Sequence, residues 1–330
     1  MAIAANTALT YDGKTIREDL SDVIYNIAPM DTPFLSGCSK TKAENTLFSW
    51  QIDTIQAGSA NRQIEGDNDP AARDVSSEQP TKLNNYTQIS RAVNQTSGTD
   101  DVVNYAGRGK AQAYMLAKSG KRMKRDMEFM LTNNVIGVAG SATLARTTAG
   151  LPSWLNTGYV NGGTGSGGAG SLGTTAMTNG DALAAITEVN IKSVIKKCFD
   201  AGGQPDTILC PSVVKQTLSG LGSGAGPGVP MRNHVGHKGG STAVAAVDVY
   251  VSDFGTFKIV PDRNLVTDSV GSVAGNAFFL DMDYWSIAWL RPWHTESLAK
   301  TGDSQKQMLI AEYGLVSRNE KSSGVLASVK

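Results

Sequence analysis

Thr46-Leu-Phe-Ser-Trp-Gln-Ile-Asp-Thr-Ile55, taken together with the residues up to Asn94, sets the architecture. Phe48, Trp50 and Ile52 fall on one side, and Ser49, Gln51 and Asp53 on the other, the period of a strand with one covered face. Residues 84–94 alternate again, with Thr87, Ile89, Arg91 and Val93 on one side. Between them, Gln56 to Leu83 contains almost no large apolar side chain. A structureless stretch of that length does not belong inside a compact domain. The pattern predicts a long two-stranded hairpin that projects from the body. Glu44, Asp53, Glu65, Asp67, Asp69, Asp74 and Glu78 face only Arg62 and Arg73 between positions 44 and 78, a net charge of −5.

Upstream, residues 1–41 read as an arm. Ile16, Leu20, Val23, Ile24 and Ile27 recur at helical spacing before Pro29 and Pro33 break the pattern. A stripe this thin cannot stand alone and must pack on its own chain or on a neighbour.

Downstream, residues 100–133 carry the strongest helical signal, with Thr99 as N-cap and Asp100 and Asp101 at the positive end of the dipole. Val102, Ala106, Ala113, Leu116, Ala117, Met123, Met127, Met130 and Leu131 keep three-to-four spacing. Gly107, Gly109 and Gly120 allow bends. At ~1.5 Å per residue this girder spans on the order of 50 Å. Lys118, Lys121, Arg122, Lys124 and Arg125 put five cations into eight of its residues. They are either a solvated face or a contact for acidic groups or phosphate.

Residues 161–173, rich in Gly and Ser, read as a linker or surface loop. A helix is expected at 181–201, a strand at 207–210, a helix at 213–221 and a Gly-rich loop at 222–242. Strands are expected at 246–252, 256–260, 277–280, 285–290 and 308–317. The class is α+β.

Composition narrows the function. The 330 residues are 40% hydrophobic and 18% charged, enough apolar material for roughly two cores. Lys plus Arg equals Asp plus Glu at 30 each. A protein whose main task is gripping nucleic acid carries a basic excess. Near-zero net charge instead favours association. Cys38, Cys198 and Cys210 read as reduced cytosolic thiols. No apolar signal core opens the sequence and no run is long enough for a membrane span. A soluble chain made inside the cell is expected.

No catalytic or cofactor motif survives inspection. Gly165, Gly167 and Gly170 match a dinucleotide-binding spacing, but within low complexity and without the strand that should precede them. No phosphate loop of the Gly-x-x-x-x-Gly-Lys-Ser/Thr form and no Gly-x-Ser-x-Gly elbow occurs. His234 and His237 do not complete a zinc site, and His294 reads as a strand-end residue. Cys198 and Cys210 read as buried thiols without a placed base. The Ser-x-x-Lys matches at Ser193, Ser212 and Ser297 lack the companion motifs of acyl-serine enzymes. Asp281 and Asp283 read as turn residues, with nothing to raise their pKa values. The sequence therefore predicts no catalytic, cofactor-binding or metal-ligating residue. The candidates are contacts between subunits: Ile16, Leu20, Val23, Ile24, Glu65, Asp67, Asp69, Asp74 and the five cations of the girder helix.

The order of pieces resembles the major capsid proteins of tailed bacteriophages that share the Hong Kong phage type fold. Four stretches carry the likeness: Ala28-Pro-Met-Asp-Thr-Pro-Phe-Leu35, Val247-Asp-Val-Tyr-Val-Ser-Asp-Phe-Gly255, Leu309-Ile-Ala-Glu-Tyr313 and Arg318-Asn-Glu-Lys321. The resemblance implies an N-terminal arm at 1–41 and an extended hairpin loop at 42–96. It also implies a peripheral domain with a spine helix at 97–179 and 284–330, and an axial domain at 180–283. It implies self-assembly into hexamers and pentamers of an icosahedral head enclosing double-stranded DNA, in the virion, after assembly in the host bacterial cytoplasm. The implied partners are other copies of the chain, a separate scaffolding protein, a portal, a decoration protein, and packaged DNA through non-specific contact. The competing readings are another virion component, such as a decoration or tail protein, and an enzyme with a shallow carboxylate site.

Overall fold

A computed structural model of the chain describes residues 31–53, 55, 58, 60, 62, 65–66, 79–105, 107–161, 165–169, 175–179, 185–221, 248–265 and 275–329. The arm residues Ile16, Leu20, Val23 and Ile24, the hairpin residues Asp67, Asp69 and Asp74, and His234 and His237 lie outside them.

Helix α1 (Pro33–Gly37) is followed by strand β1 (Ser39–Lys42) and then β2 (Leu47–Ile52), β3 (Thr81–Tyr86) and β4 (Gln88–Ser97). The helices α2 (Gly98–Val102), α3 (Ala111–Thr132) and α4 (Leu151–Trp154) precede β5 (Gly158–Asn161) and α5 (Glu188–Asp200). Strand β6 (Thr207–Cys210), helix α6 (Ser212–Leu221) and strands β7 (Val249–Ser252), β8 (Gly255–Pro261) and β9 (Gly275–Leu280) come next. The chain closes on β10 (Trp285–Leu298), β11 (Ser304–Ser317) and β12 (Gly324–Val329).

These strands make three sheets. The first has the order β1-β10-β11-β4, the second β5-β12-β9-β6-β8-β7, and β2 pairs β3 alone. The second sheet thus joins 158–161 and 324–329 to strands drawn from 207–280. Its two faces feed different cores. Ile208, Phe257, Ile259 and Phe279 point to α5 and α6, where Ile191, Val194, Ile195 and Val214 meet them. Leu209, Phe278, Leu280 and Val325 point the other way, into the main core with Trp154, Met127, Leu131, Trp285 and Tyr313. Successive strand residues therefore serve opposite faces, as the pleat requires.

The expected girder is two helices. Val103 ends α2, and Gly107 takes a positive φ of 75° before α3 begins. Glycine alone among residues adopts that conformation without strain. The 22 residues of α3 give a rod of about 33 Å, shorter than the sequence suggested. Ser97, not Thr99, caps α2, its hydroxyl accepting the Asp100 N–H at 3.1 Å. One face of α3 presents Met123, Met127 and Leu131, all buried, to the sheets. Val102, by contrast, is 82% exposed. Helix α5 starts at Glu188, capped by the Thr187 hydroxyl, so the residues before it are not helical from 185 onward.

Residues 165–169 are not a loose linker. Gly168 is buried and its N–H donates to Leu155 O at 2.7 Å. A Cβ there would overlap the backbone of Ser153, so the low-complexity sequence reflects close approach of two chain segments.

Candidate assembly interface

Two roots are fixed on the body, one at the β2–β3 pair and one at α1, and α3 carries a run of cations at 118–125. The hairpin root comes first. Strand β2 alternates exposed and half-buried residues as expected, with Phe48, Trp50 and Ile52 turned inward. The second strand differs from expectation. It is divided at Thr87: β3 pairs β2, whereas β4 leaves to pair β11. The covered face of β4 is that of Ala92, Asn94 and Thr96. Ala92 packs with Met123, Leu309 and Ala311, and Ser119 and Gln112 of α3 hydrogen-bond Asn94 and Thr96. Ile89 and Val93 are about half exposed. Small and polar residues fit the close approach of α3, which outweighs the apolar preference of Ile89 and Val93.

The division point is clamped. Thr87 is buried, and its hydroxyl donates to Glu312 Oε1 at 2.9 Å. Glu312, also buried, is paired with Arg146 on Oε1 and with Arg291 Nε on Oε2 at 2.9 Å. Arg146 Nε returns to Thr87 O at 2.6 Å. Two residues earlier, Asn85 is fully buried. Its amide donates to Leu315 O at 2.7 Å and to Thr148 Oγ1 at 3.1 Å, and its Oδ1 accepts the Ala149 N–H. A buried polar group with every partner in place fixes one geometry. Phe48 lies over Gly314 and stacks on Trp50, which meets Trp154 with centroids 5.5 Å apart. Between this root and the first sheet is a cleft of about 620 Å³, lined by Lys42, Phe48, Trp50, Ser286, Val316 and Arg318 among others. Beyond the root, Ile55 is 94% exposed, and Glu65 is exposed in a turn with Gly66.

The second root is α1. The motif residues Phe34 and Leu35 give their N–H groups to Glu128 of α3, both at 2.7 Å. Phe34 is buried edge-on against Trp285, with centroids 6.0 Å apart. Helix α1 is thereby fastened to the body.

Lys118, Lys121, Arg122 and Lys124 are exposed on α3, and Arg125 is partly so. Arg122 meets Asp126 at 3.7 Å one turn away. Within the described residues, no ion pair joins any of the five to Glu65.

The remaining candidates have structural explanations. All three cysteines are buried thiols, and burial pushes Cys198 and Cys210 up to about 12 and Cys38 higher still. A thiol so raised stays protonated and is a poor nucleophile. His294 contacts Glu296 at 3.0 Å on an exposed strand. Asp281 caps one turn of 3₁₀ helix through the Asp283 N–H, which is turn chemistry. Partial burial does raise its pKa, contrary to expectation. Among the described residues no three His, Cys, Asp or Glu side chains cluster as metal ligands. None of the described helices is long and apolar enough to cross a membrane.

The residues that sequence reasoning missed are Glu128, Glu312, Asn85 and Glu320. Glu320 accepts the Asn156 and Thr157 N–H groups at 3.1 and 3.0 Å, tying the Arg318–Lys321 motif to the loop before β5. One signal existed for Glu128: a carboxylate adjoining Met127 on a buried helical stripe.

Known proteins match this arrangement over its whole length. A family described as SU10 major capsid protein matches residues 3–330. The major capsid protein of Escherichia phage Phieco32 is 28% identical over 351 residues, covering 96% of this chain and 96% of that one. Among solved structures, the capsid of the native GTA particle superposes with a TM-score of 0.63 at 13% identity, covering 99% of this chain and all of that one. The Mycobacterium phage Adephagia structure gives 0.61 at 12% identity, covering 99% of each chain. An encapsulin from Synechococcus elongatus gives 0.52 at 9% identity, covering 93% of each. At such identities the structural likeness is one of fold, and it is the Hong Kong phage type fold that the sequence resembles. The chain belongs to the SU10 major capsid protein family and is a structural protein of the phage virion.

Proposed function

We propose that the chain assembles with its own copies into hexamers and pentamers of an icosahedral head that encloses double-stranded DNA. One observation carries this: the hairpin root is clamped by buried, fully partnered polar groups at Asn85 and Thr87. A body that spends buried polar groups on fixing where a segment leaves it gains directional reach, which a repeating contact needs. In this reading residues 1–41 are the arm and 42–96 the extended loop. Residues 97–179 and 284–330 form the peripheral domain and 180–283 the axial domain, whose sheet is extended by β5 and β12 from the peripheral segments. The stripe Ile16, Leu20, Val23 and Ile24 packs on a neighbouring subunit.

The loop carboxylates Glu65, Asp67, Asp69 and Asp74 lie over another neighbour, where charge complementarity sets register and association rate. Lys118, Lys121, Arg122, Lys124 and Arg125 meet packaged DNA through sequence-independent phosphate contact. We assign the chain no catalytic role. Assembly takes place in the host cytoplasm, with a separate scaffolding protein, a portal and a decoration protein as partners. Sedimentation velocity on the purified full-length chain tests the central part. Species far heavier than the 34.7 kDa subunit, built from this chain alone or with its scaffold, are expected. A chain that remains monomeric in both conditions overturns it.

A further inference from the structure

The root of the N-terminal segment rests on two carboxyl groups buried against each other. Glu128 of α3 has no exposed surface, and both of its oxygens are engaged by the Phe34 and Leu35 N–H groups. Asp262, just past β8, is 2% exposed, and its side chain interacts with that of Glu128. Asp262 Oδ1 accepts the Asn264 backbone N–H at 2.8 Å, and its Oδ2 is buried with no hydrogen-bond donor among the described residues. Asn264 in turn donates its amide to Asp31 O at 3.0 Å, on the chain entering α1. Three elements far apart in sequence thus meet at this point: the entry to α1, the spine helix and the end of β8. The other titratable group facing the pair is the Cys38 thiol at the end of α1, which burial keeps protonated. Among the described residues no lysine or arginine forms an ion pair with either carboxyl.

Two carboxylates cannot both stay charged in contact and out of water. We propose that Glu128 and Asp262 share one proton, and that this proton latches α1, and with it the root of the N-terminal segment, onto the body. Losing the proton puts two like charges side by side. The cheapest relief is for α1 to lift and let water reach them. That the released segment also serves as an assembly arm rests on the function proposed above; the latch itself does not.

The pH sense follows from the direction of the shift. Burial, and then the neighbouring Asp262 charge, push Glu128 up from 4.5 to about 8 against the pull of the two amides. Burial raises Asp262 as well. The latched form therefore holds a proton that the open form gives up between 4.5 and about 8. Latching is strongest at the acid end of that window, weakens as pH rises through it, and levels off above it.

Hydrogen exchange on the full-length unassembled subunit, read on peptides covering Phe34–Cys38 and corrected for intrinsic exchange rates, tests this. Wild-type protection should fall by up to about tenfold per pH unit across the window, since one unit of pKa is a factor of ten. Glu128→Gln and Asp262→Asn each leave one carboxyl with no partner for a shared proton. Each should flatten the slope to below about threefold per unit, relative to the wild-type limit. Alkylation of Cys38, with Cys198 and Cys210 as buried controls, gives a second readout if one variant fails to fold. Protection that is independent of pH in the wild type overturns the latch, as does a wild-type slope in both variants. Neither result bears on whether the chain forms shells, and failure to form shells leaves the exchange result standing.

Discussion

Thr87 donates its hydroxyl to Glu312 Oε1 at 2.9 Å where the chain passes from the paired hairpin into the four-stranded sheet. Glu312 is the only acid among these groups, facing Arg146 and Arg291 as well as the threonine. Breaking a buried pair by removing one partner leaves the other uncompensated, at a cost of about 3–5 kcal/mol. Arg146 and Arg291 are partly exposed and stay partly solvated, so the loss here should fall at or below the lower end of that range. Glu312→Gln should lower subunit stability by about 2–3 kcal/mol. Thr87→Val should cost about 1 kcal/mol by leaving one acceptor short of a donor. Urea denaturation followed by tryptophan fluorescence measures both.

Gly314 lies directly beneath the Phe48 ring. A methyl group there forces the ring out of its seat beside Trp50 or displaces β2 from the body. Overpacking of this kind costs about 1–3 kcal/mol. Gly314→Ala should show that loss in denaturation, whereas Gly202→Ala is a poor comparison because its φ of 90° strains any side chain. A Phe48→Ala change combined with Gly314→Ala should be less harmful than the sum of the two, since each relieves the other's fault.

These roots mark where sequence legibility ended. Periodicity placed β2, β7 and β8 within a few residues because each has one face on a core, and β6 and β9 as short apolar runs buried on both faces. It extended one strand through Thr87, because nothing local records that Tyr86 and Gln88 pair with different partners. It grouped Ile89 and Val93 on one side of β4 without saying which side turns inward, and packing against α3 selects the side of the small Ala92. It marked no strand at 324–329, where β12 pairs β9 and β5. The clamps at Glu128 and Glu312 join residues far apart along the chain, and no spacing rule reaches them. What was legible of the candidate interface was charge: the five cations of α3 lie on its exposed or partly exposed side, as an amphipathic helix requires.

Deleting residues 1–27 should leave a soluble subunit that still unfolds cooperatively, because α1 and its seat on Glu128 are retained. The truncated chain should form no closed shells. Circular dichroism melts together with sedimentation separate the two effects. Normal shells from the truncated chain would contradict the role given to the arm.

Replacing Glu65, Asp67, Asp69 and Asp74 with their amides should slow assembly and flatten its dependence on salt, with the subunit's fold unchanged. Exposed pairs contribute about 0–1 kcal/mol each, so the effect depends on repetition over many contacts. Light scattering during assembly at low and high ionic strength measures it. Equal rates in both salts for both chains would reduce the hairpin charge to a solubility device.

Electron microscopy of the purified chain, expressed alone and with its scaffolding protein, tests the central claim most directly. The account predicts closed shells whose hexamers and pentamers each hold the six-stranded sheet toward the capsomer axis, with the hairpin reaching a neighbouring subunit. Shells in which the hairpin touches only its own subunit, or single subunits under both conditions, would contradict it.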